Sequence, residues 1–140
     1  MASVWHGSRD RIETFNLEKA GRTGNASNGA LGIWFSFGDD LAGRYAGNGG
    51  YLYELELTEE PEYRMTVREL MHLHEEAGDL DCTEREVEFY DRMRRDLISR
   101  GYARIHIVER SGATEMGIFL DPAKVRILSI LHEECPLPSP

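Results

Sequence analysis

The middle of the chain constrains its fold most. Residues 58–100 are dense in charge and hold a single glycine, Gly78, and they lie between segments that alternate apolar and polar residues. A helical stretch flanked by strands on both sides predicts an α+β domain. In residues 50–57, Tyr51, Tyr53, Leu55 and Leu57 share one face and Glu54 and Glu56 the other, the pattern of a half-buried strand. Residues 103–108, 116–120 and 125–131 alternate in the same way, with Asp121-Pro122 as a turn between the last two. Residues 3–6 and 32–36 are short apolar runs beside glycines, so the pattern predicts about six strands. Within the charged stretch, Thr66 with Glu69 and Thr83 with Glu86 match capping boxes that open helices. Val67, Leu70, Met71 and His74 share a face of the first. Val87, Tyr90, Met93, Leu97 and Ile98 form the stripe of the second, which Gly101 stops. A short third helix is expected from Asp39 or Asp40, carrying Leu41 and Tyr45.

At 140 residues the chain fits one domain, residues 1–140, with the helical insertion at roughly 58–100. Sixteen basic against 25 acidic side chains leave a net charge of −9, which disfavours a broad grip on nucleic-acid phosphates. No apolar run approaches the roughly 18 residues of a membrane span. The start of the chain lacks a basic stretch followed by an apolar one, so no secretory leader is expected. Two cysteines, Cys82 and Cys135, are too few for a disulfide framework, and a reduced, cytoplasmic setting is expected.

Five features could carry chemistry. His6 beside Gly7 closes a strand; the glycine admits a ligand to the backbone, although a surface-turn histidine has the same signature. Gly21, Gly24, Gly29 and Gly32 make a tightly turning loop without the lysine and hydroxyl of a P-loop. Trp34 and Tyr45 could bracket a flat ring or pack in the core. Glu115 leads an apolar strand, where a carboxylate is costly unless it is solvated at the strand end or has a task. His72 and His74 lie about 200° apart on a helix and cannot share one metal ion, so no metal site is expected.

Read in order, the motifs are Val4-Trp5-His6-Gly7-Ser8-Arg9, then Gly32-Ile33-Trp34-Phe35-Ser36 with Tyr45-Ala46, then Thr114-Glu115-Met116-Gly117-Ile118-Phe119-Leu120-Asp121-Pro122. Together they resemble the ADP-ribosyltransferase superfamily on its diphtheria-toxin and poly(ADP-ribose) polymerase side. The chain looks most like the small ADP-ribosyltransferase modules of phage and mobile-element polyvalent proteins. The resemblance spans residues 2–57 and 100–131 and implies a split β-sheet core; the insertion between them matches no part of the family pattern.

The resemblance implies NAD as substrate. It makes Glu115 and His6 the catalytic residues, with His6 orienting the adenosine-side ribose. The Gly7 backbone would hold the nicotinamide carboxamide. Ser8, Arg9 and Ser36 join the NAD contacts, and Tyr45 stacks on the nicotinamide. Trp34 stands where the family usually has tyrosine; it can bracket the ring but has no phenol to accept a hydrogen bond. The chemistry suits these residue types. Cleaving the nicotinamide–ribose bond builds positive charge on the sugar, which one carboxylate can stabilise. The resemblance implies a mono-ADP-ribosyltransferase acting on a macromolecule, more readily a protein than a nucleic acid. An NAD glycohydrolase and a silent NAD- or ADP-ribose-binding adaptor are the competing readings. The charged insertion is either an acceptor-docking surface or a solvated helical hairpin covering one edge of the sheet.

Overall fold

The computed structural model describes residues 2–8, 11–12, 15–17, 27–38, 50–108 and 116–132. The strands are β1 (Ala2–Ser8), β2 (Ile33–Ser36), β3 (Tyr51–Leu57), β4 (Glu62–Thr66), β5 (Arg104–Val108), β6 (Met116–Phe119) and β7 (Ile127–His132). The helices are α1 (Val67–Gly78) and α2 (Thr83–Ser99), with 3₁₀ turns at Ser27–Leu31 and Pro122–Lys124. All seven strands join one mixed sheet in the order β4-β5-β6-β2-β1-β3-β7. The pair β4–β5 is parallel and every other pair is antiparallel.

The strand beyond the expected six is β4. It sits inside the charged stretch and reads poorly as a strand because it is short, follows Pro61 and exposes Arg64. Its inward residues are Tyr63 and Met65. A polar outer face is what an edge strand tolerates. Parallel pairing of β4 with β5 needs a crossover, and α1 and α2 supply it. The insertion therefore covers a face of the sheet rather than an edge. With the Ser27–Leu31 turn it buries Leu70, Ala77, Tyr90 and Leu97 against Met65, Ile105, Ile107 and Ile118.

Thr66 caps α1 with both bonds of a capping box. The second box is not made: Cys82 is the N-cap of α2, Thr83 is its first residue, and no side chain caps it. Met71 and Ile98, expected inward, are exposed; Leu73 and Phe89 pack against the core in addition to the expected residues. Gly101, at φ +91°, ends α2 in the left-handed conformation. Asp121 closes the expected turn by accepting the Ala123 N–H. The helix expected at Asp39 or Asp40 lies outside the described residues. No helix among the described residues is long and apolar enough to cross a membrane.

A second core, of Val4, Phe15, Ile33, Phe35, Tyr53 and Leu55, centres on β1, β2 and β3. Gly117 lets β6 pass beneath it: an added Cβ would lie 2.3 Å from the Phe35 ring and 2.7 Å from the Ile105 carbonyl oxygen. The ring could shift, but the carbonyl belongs to a paired strand. Gly117→Ala is therefore expected to cost about 2 kcal/mol through overpacking, measured by urea denaturation. A variant as stable as the parent would show that β6 has slack here.

Candidate functional site

The centre of the sheet is joined by very little. β1 and β2 share one register pair, Trp5 with Ser36. Continuing that register would set His6 opposite Phe35 and Gly7 opposite Trp34, yet no such pairs form. On its other side β1 stays paired with β3 through His6, Gly7 and Ser8. The two strands thus part at His6, and backbone groups that a continuous ladder would satisfy need other partners.

His6 supplies one. Its Nδ1 lies 2.5 Å from the Trp34 carbonyl oxygen, bridging 28 residues of sequence. A carbonyl only accepts, so Nδ1 carries the proton and donates. Burial pushes the His6 pKa below its ordinary value of 6.5, against the opposing effect of the Trp34 carbonyl. The ring is therefore neutral at pH 7, and Nε2 keeps its lone pair. Aromatic edges hold the imidazole in place. Phe15 meets it edge-on at 5.1 Å between centroids, and Tyr53 lies 6.3 Å away. The Tyr53 hydroxyl in turn accepts the Ile12 N–H, tying the segment before Phe15 to the sheet.

Trp34 points to the other face, toward the helices. Its indole N–H donates to the Asn28 carbonyl at 3.1 Å. Its ring stacks with His74 of α1, 6.4 Å between centroids and 25° between planes. His74 Nδ1 is 2.6 Å from the Tyr90 hydroxyl of α2. Burial holds His74 below the ordinary histidine range and, with the charge of Glu86, pushes Tyr90 up to about 12. Both rings are neutral at pH 7. His72, two residues along, is exposed and faces Glu75 at 3.7 Å, on a different side of the helix from His74.

The other sequence-derived candidates divide into two groups. Gly7 and Ser8 lie on β1 opposite Leu52 and Tyr51, next to His6. Ser36 is buried, and its hydroxyl donates to the Gly38 carbonyl at 2.6 Å, closing the turn after β2. His6, Gly7, Ser8, Trp34 and Ser36 thus gather where β1 and β2 part. Arg9, Tyr45 and Glu115 lie outside the described residues. Met116, the residue after Glu115, pairs with Ser36.

Phe15, Asn28, His74 and Tyr90 are the neighbours that sequence reasoning did not assign to the site. His74 and Tyr90 had a signal, their places on the inward faces of α1 and α2. A cleft of about 520 Å³ adjoins Phe15 and is lined by Pro122, Lys124, Val125 and Arg126 among others. A larger one, about 620 Å³, lies at the β4 edge among Glu59, Glu60, Glu62, Arg64 and Arg104, and no motif residue lines it. His6 is not among the described residues that line either cleft; the smaller one meets it only through Phe15.

Comparison with protein-family models, with curated proteins and with solved structures gave no match to this chain.

Proposed function

We propose that this chain is an NAD-dependent mono-ADP-ribosyltransferase. It breaks the bond between nicotinamide and the ribose C1′ and transfers ADP-ribose to a macromolecular acceptor, most readily a protein in the cytoplasm. The observation that carries the reading is the parting of β1 and β2 at His6, with His6 donating to the Trp34 carbonyl. It brings two motifs far apart in sequence together where the single seven-stranded sheet is joined by one register pair, the place at which a split-sheet core would divide.

In this reading the neutral His6 accepts a ribose hydroxyl proton at Nε2, because Nδ1 is already committed. The Gly7 backbone holds the carboxamide; β1 has a strand partner on one side only beyond Trp5, among the described residues. Trp34 and Tyr45 bracket the pyridine ring. As the C1′–N bond breaks, its electron pair leaves with neutral nicotinamide, and Glu115 faces the positive charge left on the sugar. The acceptor's nucleophile then bonds to C1′ and loses its proton, with Glu115 as base.

The test is incubation of the purified protein with NAD, alone and with a cell lysate and labelled NAD. Nicotinamide release with labelled protein supports transfer. Release without label assigns hydrolysis, and binding without release assigns an adaptor. Tyr45→Ala is expected to weaken NAD binding by roughly 1–3 kcal/mol, the loss of one stacking aromatic. An unchanged dissociation constant in calorimetry would remove Tyr45 from the ring site.

A further inference from the structure

We propose that the helical insertion serves the site by holding the Trp34 ring in place, with His74 as the positioning residue; this rests on the dinucleotide reading above. Trp34 is constrained from three directions. Its strand pairs with β6 at Ile118, its indole N–H is held by the Asn28 carbonyl, and one face of its ring lies on His74. His74 connects the indole to both helices, because its own orientation is set by Tyr90 on α2. The Tyr90 ring also meets His74 at a steep 63°, so the imidazole is gripped through its edge while its face is left to Trp34. A core that needed only to be filled would take an aliphatic side chain here. Two neutral polar rings joined by a hydrogen bond instead fix an orientation, since such a bond is directional and dispersion is not. The backbone carbonyl of the same Trp34 accepts from His6, so the helices, the indole and the histidine of β1 form one connected series.

The experiment uses the full chain carrying Trp5→Phe, which leaves Trp34 as the sole tryptophan. Its emission and near-ultraviolet circular dichroism report the ring without any nucleotide. His74→Ala is expected to change both and to raise the NAD dissociation constant roughly fivefold, the size of one aromatic contact. His74→Phe restores a flat ring and is expected to recover most of the affinity. Thermal melts identify a variant that has lost its fold, and in that case His74→Phe and Tyr90→Phe carry the test. Two results overturn the assignment: Trp34 signals that ignore His74, or signals that change while NAD affinity does not. An unsubstituted protein that binds no NAD overturns the dinucleotide reading, and with it the purpose of the pair, even where the spectroscopic coupling is intact.

Discussion

Replacing Glu115 with glutamine is expected to slow nicotinamide release from NAD by about 10²- to 10³-fold while leaving stability unchanged. Glutamine keeps the size and the oxygen acceptor of the side chain but not its charge. Binding of NAD therefore survives, and the loss falls on kcat rather than KM. This follows from the transition state: the ribose is neutral in bound NAD and cationic only as the bond breaks, so a carboxylate stabilises the second state over the first. A glutamine variant that turns over at the parent rate would remove Glu115 from the mechanism. The competing hydrolase reading makes the same demand on Glu115, so this variant tests the bond cleavage and the lysate labelling tests the acceptor.

Glu62→Ala is expected to destabilise the fold by roughly 3 kcal/mol, because it strands a buried guanidinium. Arg104 is almost fully buried. It donates from Nε to Glu62 at 2.8 Å and from Nη1 to the Thr58 carbonyl at 2.7 Å, and His106 lies 3.4 Å from the other Glu62 oxygen. Burial would push the Glu62 carboxyl up. The hydrogen bond and charge of Arg104, with His106, reverse this and hold it below its ordinary 4.5. The folded value lies below the unfolded one, so the unfolded chain takes up this proton first. The stabilisation is present above pH 4.5 and is lost as pH falls through the lower folded value. Urea titrations across that window should show the acid-dependent loss in the parent and not in Glu62→Ala. Replacing both partners, Glu62→Leu with Arg104→Met, should recover much of the deficit, since no buried charge then lacks a partner. If the single variant unfolds at the parent's urea midpoint, the pair does not support the β4–β5 joint.

The same geometry bears on the charged insertion as a docking surface. Arg94 reaches the Leu120 carbonyl at 3.2 Å and pairs with Asp91 at 3.0 Å, so it braces α2 against the sheet. Arg92 and Arg95 pair with Glu88 and Asp91 on the exposed side. Charge reversal confined to Arg92 and Arg95 would therefore probe acceptor docking without disturbing the core.

Local pattern was sufficient wherever one residue's surroundings are set by its near neighbours in the chain. The alternation of Tyr53 and Leu55, the Thr66–Glu69 cap, the Gly101 stop and the Asp121 turn are all such cases, because strand pleat, cap and turn close within a few residues. The strand β4 escaped because five residues with two charges carry little periodic signal until β5 lies beside them. The Thr83–Glu86 box failed because the helix starts one residue earlier than its motif implies, with Cys82 at the cap. Gly117 was legible as a motif glycine, but the Phe35 ring above it was not.

The residue types of the candidate site, His6-Gly7-Ser8, Trp34 and Glu115, were written in the chain, since chemistry resides in side chains. That β1 and β2 separate at His6, that the imidazole spans the gap to Trp34, and that the indole rests on His74 were decided by folding alone. Each of these is a contact between segments tens of residues apart, and its energy depends on the mutual placement of whole strands and helices, which no local spacing encodes.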